Sequence, residues 1–179
     1  MTNALAEPAK TALFEAEIVP HLRAAYNLAR WLVHNPDDAE DMVQESYLRA
    51  YKYFDGFRGM NSLAWLLTIV RTTCYTWLHR NRFQEASTVF DEDQHSGVNE
   101  MINPETLMLK GADGDMLRQL LEELPVEFRE ALVLRELEGM SYKQIAEVAG
   151  IPLGTVMSRL ARARRHLQRR LSNVPTKEY

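Results

Sequence analysis

Apolar residues recur at helical spacing along most of the chain, and no stretch shows the strict alternation of a strand. From Leu13 onward, Phe14, Ile18, Leu22, Ala25, Leu28, Ala29 and Leu32 predict helix, and Pro20 is expected to kink that run or divide it in two. Asn35-Pro36-Asp37 breaks the pattern. Asp37 with Glu40 has capping-box spacing and predicts the start of a second helix, with Ala39, Val43, Tyr47, Ala50 and Phe54 on one face. A third helix begins at Ser62, where Leu63, Leu66, Leu67, Ile69, Val70 and Cys74 predict a well-buried element. Residues 1 to about 10 read as a loose leader. Gln84 to about Asn103 is polar, acidic and weakly periodic, which predicts a flexible linker. Helical spacing resumes from Pro104. Leu117, Leu120, Leu121 and Leu124 form a stripe closed by Pro125, and Phe128, Ala131, Leu132 and Leu137 carry a further helix ending near Gly139.

The next stretch reads as a helix-turn-helix. Ser141 with Gln144 forms a capping box, and Tyr142, Ile145, Ala146 and Ala149 share one face of a short helix. Gly150 suits the left-handed end of that helix, and Pro152 suits the first turn of the next. The second helix is two-faced. Val156, Leu160, Ala163 and Leu167 make an apolar stripe, while Ser158, Arg159, Arg162 and Arg165 lie largely off it. No acid occurs from Leu153 to Leu171. A solvated basic face on an ordinary bundle helix would show the same pattern. The short preceding helix and the glycine turn favour a helix that lies in the DNA major groove.

Composition narrows the class. At 179 residues and 46% hydrophobic, the chain can bury one or two modest cores. The net charge is −4, but basic residues gather at the C-terminal end and from Arg71 to Arg82. Acids lie between, in Asp91-Glu92-Asp93 and from Asp113 to Glu130. A single cysteine, Cys74, excludes an internal disulfide and a cysteine-based zinc site, and its apolar setting predicts a buried thiol. There is no signal-peptide pattern and no run of about 20 apolar residues, so a cytoplasmic protein without membrane insertion is expected. His21, His34, His79, His95 and His166 are scattered without metal-ligand spacing. With no glycine-rich phosphate loop and no nucleophile–base pair, neither an enzyme nor a cofactor is expected.

Three surfaces remain open on pattern alone. Asp41, Gln44, Glu45, Leu48 and Arg49 set a leucine among acids and an amide, which fits a solvated face or a partner surface. The loop Phe54–Ser62 places Phe57 and Arg58 between two glycines, which fits a plain connection with Phe57 in the core or a base-stacking, phosphate-holding loop. In the third helix, Trp65, Arg71, Tyr75, Trp77, His79, Arg80 and Arg82 interleave aromatics with positive charge. That suits opened DNA, although a basic C-terminal end also complements the helix dipole.

Two motifs, in order and separated by one short linker, carry a family resemblance. The stretch Asp38-Ala39-Glu40-Asp41-Met42-Val43-Gln44-Glu45-Ser46-Tyr47-Leu48-Arg49-Ala50-Tyr51 resembles region two of bacterial RNA polymerase sigma factors of the extracytoplasmic function (ECF) group. Leu124-Pro125, then Ser141-Tyr142-Lys143-Gln144-Ile145-Ala146 and Pro152-Leu153-Gly154-Thr155-Val156-Met157-Ser158-Arg159, resemble region four. With Trp65-Leu66-Leu67-Thr68-Ile69-Val70-Arg71, the resemblance covers most of residues 12–172. It implies an all-α chain of two small helical domains joined by a flexible acidic linker. The expected divisions are a leader at 1–11, region two at 12–83, the linker at 84–103, region four at 104–173 and a tail at 174–179. No room is expected for the central domain or the autoinhibitory N-terminal region of primary sigma factors.

The resemblance further implies an alternative sigma factor that binds core RNA polymerase and promoter DNA, without catalysing a bond change. Asp41, Gln44, Glu45 and Leu48 would dock on the β′ coiled coil. Phe57, Arg58, Asn61, Trp65, Arg71, Tyr75 and Arg80 would serve the −10 element, with the loop capturing a flipped base. Thr155, Met157, Ser158, Arg159, Arg162 and Arg165 would serve the −35 element, beside a contact to the β flap. The linker would run toward the RNA exit channel. An anti-sigma factor is expected by analogy. Thr72 and Thr76 stand where the family often has Asn and Asp, Met157 where Arg or Lys is common, and Ala161 where a larger side chain is common. These departures predict an unusual promoter sequence. The rival reading is a stand-alone helix-turn-helix regulator with a helical sensing domain. The acidic Asp38–Glu45 face and the aromatic loop argue against it.

Overall fold

Pro20 divides the first helical run rather than kinking it. In the structure, a computed structural model that describes residues 7–87 and 114–172, α1 (Glu7–Glu17) leads into a 3-10 turn at Val19–His21 and then α2 (Leu22–Val33). Proline supplies no N–H, so the chain closes with His21 N–H on the Ile18 carbonyl (3.1 Å) and restarts. The restart shifts the helical phase, and Leu22, expected on the buried face, is half exposed at 50%. Helix α1 also begins earlier than its sequence suggests. Lys10 is buried and pairs with Asp55 (2.9 Å), and Tyr51 donates to Glu7 (2.9 Å). Residues 7–10 are therefore helical and tied down, not a loose leader.

Helix α3 (Pro36–Tyr53) is capped by Asn35, not by the expected Asp37–Glu40 box. The Asn35 side-chain oxygen accepts from the N–H groups of Asp37 (2.8 Å) and Asp38 (3.2 Å), and Pro36 takes the first helical position, where no N–H is needed. Asn35→Ala is expected to destabilise the N-terminal unit by about 0.5–2 kcal/mol, whereas Glu40→Ala stays within about 0.5 kcal/mol. Urea denaturation of the two variants checks the assignment.

Ala39, Val43, Ala50 and Phe54 are buried as their spacing predicts, with Tyr47 half-buried. Burial pushes the Tyr47 phenol up to about 12, and its hydroxyl donates to the Ile18 carbonyl (3.2 Å). After a short turn at Phe54–Gly56 and a loop, α4 runs from Ser62 to Ser87, past Gln84. Leu66, Leu67, Val70 and Cys74 are fully buried where α4 packs on α2 and α3. Phe14 joins α1 to this core through edge contacts with Tyr47, Tyr51 and Phe54 at 5.2–6.2 Å.

The chain divides into two compact units, with the second beginning at Ile102. The expected linker residues beyond Ser87, including Asp91-Glu92-Asp93, the helical stretch expected from Pro104, and the tail lie outside the described residues. In the second unit, α5 (Gly114–Glu122) presents the buried stripe Leu117, Leu120 and Leu121, followed by buried Leu124. Helix α6 (Val126–Leu132) continues into a π-helical turn at Val133–Leu137. There Glu138 N–H reaches the Val133 carbonyl (3.1 Å), and Gly139 turns the chain at φ 64°. Helices α7 (Tyr142–Ala149) and α8 (Leu153–Ser172) complete the unit, α8 packing on both α6 and α7. Among the described residues there is no strand, and no helix is long and apolar enough to cross a membrane.

Arg129 and Glu130, at the end of the acid-rich stretch from Asp113 to Glu130, are buried at 4% and 1% exposure. Arg129 donates to the carbonyls of Glu122 and Leu124, both at 3.0 Å, and so satisfies the C-terminal end of α5. Glu130 thus contributes no solvated charge to the acidic middle of the chain.

Candidate nucleic-acid and polymerase interfaces

The helix-turn-helix forms as its local chemistry dictates. Ser141 Oγ accepts from Gln144 N–H (3.2 Å) while the Gln144 side chain accepts from Ser141 N–H (2.8 Å), so both halves of the capping box are made. Gly150 closes α7 in the left-handed region at φ 64°, ψ 38°. Pro152 sits one residue ahead of α8, and its carbonyl accepts from Thr155 (3.0 Å) and Val156 (3.2 Å). Val156, Leu160 and Ala163 are at most 1% exposed, and Leu167 is half-buried.

This burial fixes which side chains of α8 face outward. Met157, Ser158, Arg162 and Arg165 are exposed, while Thr155 and Arg159 are half-buried on one flank. Arg164 turns aside to Glu136 (2.8 Å). That hydrogen bond, followed by one with Tyr142, raises its pKa further. The outward face is thus cationic and lacks an acid over Leu153–Leu171, which suits a polyanion.

In the N-terminal unit, the loop aromatics resolve toward packing. Phe57 is half-buried, stacked on Phe54 (5.6 Å, interplanar 17°) and against Trp65 (5.1 Å). Asn61 caps α4 by accepting from Ala64 N–H (3.0 Å). The exposed tip is Arg58, Gly59 and Met60. Met60, which no sequence pattern singled out, is 91% exposed, and Gly59 holds φ 73°. Along α4, the Arg71 guanidinium lies over the Tyr75 ring (4.3 Å), and Arg80 is exposed. The hydroxyls of Thr72 and Thr76 donate to the carbonyls four residues back, both at 2.8 Å. The structure therefore brings Phe57, Asn61 and Trp65 together around one loop and strings Arg71, Tyr75 and Arg80 along the adjoining helix.

On α3, Asp41 and Gln44 are exposed, Glu45 pairs with Arg49 one turn on, and Leu48 is 74% exposed. Burial raises the Asp38 pKa, and the nearby charges of Asp41 and Asp37 add to the shift. An apolar side chain that exposed, rimmed by acids and an amide, has the form of an interface anchor.

Comparisons with known proteins decide the family. The profile for "Sigma-70 region 2" matches residues 18–84, and that for "Sigma-70, region 4" matches residues 114–167. The ECF RNA polymerase sigma-E factor of Salmonella typhimurium is 38% identical over 134 residues, covering 71% of this chain and 70% of that protein. The chain belongs to the ECF sigma factors. The family relationship extends over nearly the full length in the ECF RNA polymerase sigma factor SigE of Mycolicibacterium smegmatis. That protein is 34% identical over 174 residues, 90% of this chain and 67% of its own length. The fold matches the sigma factor RpoE of Bartonella quintana, solved in complex with the anti-sigma factor NepR. Its TM-score is 0.72 and its identity 31%, over 89% of this chain and 97% of that one. CnrH, solved in complex with the cytosolic domain of CnrY, shares the fold at a TM-score of 0.63 and 22% identity, over 93% of this chain and 90% of that one. Sigma factors act in transcription initiation, and that is the role of this chain.

Proposed function

We propose that this sigma factor docks on the β′ coiled coil of core RNA polymerase through Asp41, Gln44, Glu45 and Leu48, reads and melts the −10 element with its N-terminal unit, and reads the −35 element with α8. The observation that carries the reading is the face of α8. It is cationic, free of acids and set behind a helix α7 that is capped at both ends, in a chain whose other unit matches region two. Phe57, Arg58, Asn61, Trp65, Arg71, Tyr75 and Arg80 serve the −10 element. Phe57, Asn61 and Trp65 shape the loop from behind, and Arg58 and Met60 present its tip. Thr155, Met157, Ser158, Arg159, Arg162 and Arg165 serve the −35 element, with the β flap as a further contact of the same unit.

Physical economy supports a need for polymerase. Each unit alone offers a small DNA contact. Fixing both on polymerase makes the second contact intramolecular and raises its effective concentration. Opening the duplex costs a few kcal/mol per unstacked base, which capture of an extruded base offsets. An anti-sigma factor is the expected inhibitory partner, because the solved relatives RpoE and CnrH are named in complexes of that kind or with a partner's cytosolic domain. The protein would act in the cytoplasm, with the chromosome.

Arg162→Ala tests the DNA face. Arg162 is exposed on the outward side of α8, so its loss is expected to weaken promoter binding by the holoenzyme by about 1–3 kcal/mol, chiefly at one −35 position. Binding measured across single-base −35 variants checks this. A loss equal on every sequence would make Arg162 a phosphate contact, and no loss would remove α8 from the interface.

A further inference from the structure

Two side chains on α8 do not fit a purely cationic surface. Among the described residues of the C-terminal unit, the exposed large hydrophobics are Leu153 (49%) and Met157 (53%). They are spaced i, i+4, so they lie one above the other on the same flank of the helix. Both belong to its first turns, the part of a recognition helix that meets base edges. Gly154 lies between them, and a Cβ there would meet nothing within 4 Å. The backbone can therefore approach a flat surface at this point.

The two hydroxyls nearest the pair are poor donors for direct readout. The Ser158 hydroxyl donates to the Thr155 carbonyl (3.0 Å), so its hydrogen is committed within the helix, and Thr155 is half-buried. The arginines lie further along α8. Thymine alone presents an apolar group, its 5-methyl, in the major groove. We propose that Leu153 and Met157 recognise thymine methyl groups in the −35 element, making them specificity-determining residues. The inference rests on the DNA-binding reading of α8. A protein partner for the pair is disfavoured by its setting, because the adjoining face carries arginines without an acid.

The test uses holoenzyme assembled from the full chain and core RNA polymerase. Its −35 element is first selected from a randomised promoter pool. Each thymine of that element is then replaced by uracil, which keeps every hydrogen-bonding group and removes only the methyl. At one or two positions uracil is expected to weaken binding about fourfold, the worth of one buried methyl. Met157→Ala or Leu153→Ala is expected to bring the thymine–uracil affinity ratio at that position to about one, whatever loss of overall affinity the truncation causes. Both sites are exposed, and a thermal melt of each variant verifies folding. Equal binding of thymine and uracil at every position, a selected element without thymine, or a preference undiminished in both variants would overturn the proposal. A pool that returned no −35 preference at all would instead overturn the DNA-binding reading of α8, and the proposal with it.

Discussion

Leu160→Ala is expected to unfold the C-terminal unit while leaving the N-terminal unit folded. Leu160 is 1% exposed at the centre of the α8 stripe, between Val156 and Ala163, which are both fully buried. Truncating a buried leucine costs about 2–5 kcal/mol, because transfer free energy is lost and a cavity remains. A core of this size rarely supplies more than about 3–5 kcal/mol, so the substitution removes most of the unit's stability. The N-terminal unit has its own core in Leu28, Leu32, Leu66, Leu67 and Val70 and does not depend on Leu160. Urea denaturation followed by circular dichroism should lose the transition belonging to the C-terminal unit and keep the other. A shift below about 1 kcal/mol would show that neighbouring side chains close the cavity.

Leu48→Ala is expected to have the opposite signature, with intact stability and weakened polymerase binding. At 74% exposure Leu48 contributes little to folding, so the variant should stay within about 0.5 kcal/mol of the parent. An apolar anchor buried on docking commonly carries about 2 kcal/mol or more, so the affinity for core polymerase should fall about thirtyfold. Asp41 stands on the rim. Reversing its charge should act mainly on the association rate and its salt dependence, and leave DNA binding by the C-terminal unit unchanged. Unchanged polymerase affinity in Leu48→Ala would place the docking surface elsewhere.

The features legible from sequence were those decided within a few residues. The Ser141–Gln144 box, the left-handed Gly150 and the Val156–Leu160–Ala163 stripe depend on spacing alone and appear as read. Cys74 is buried, as its apolar neighbours implied. Where two local solutions competed, spacing was not enough. Asp37–Glu40 has a capping pattern, but Pro36 can occupy the first helical position, which lets Asn35 cap instead. Features created by tertiary contact left no local trace. The start of α1 is held by Lys10 on Asp55 and Glu7 on Tyr51, across more than 40 residues of sequence. Arg129 is buried because two carbonyls at the end of α5 need donors, a demand invisible in a run of alternating charges.

The candidate site divides along the same line. The outward faces of α3 and α8 follow from helical period, so Asp41, Gln44, Leu48, Arg162 and Arg165 stand exposed as the stripes opposite them require. The loop could not be resolved that way. Composition left Phe57 open between core and base stacking, and its ring packs between Phe54 and Trp65. Asn61 is committed to capping α4. Met60, a lone apolar residue in the loop, and Leu153, whose spacing three residues before buried Val156 would predict burial, became visible only through their exposure.

The role proposed for this chain is that of the promoter-recognition subunit of RNA polymerase. It is tested most directly by size-exclusion chromatography of the purified chain mixed with bacterial core RNA polymerase at moderate salt. Co-elution of the two is the predicted result. A folded chain that elutes apart from polymerase, yet binds a specific duplex on its own, would contradict the claim and identify a stand-alone helix-turn-helix regulator.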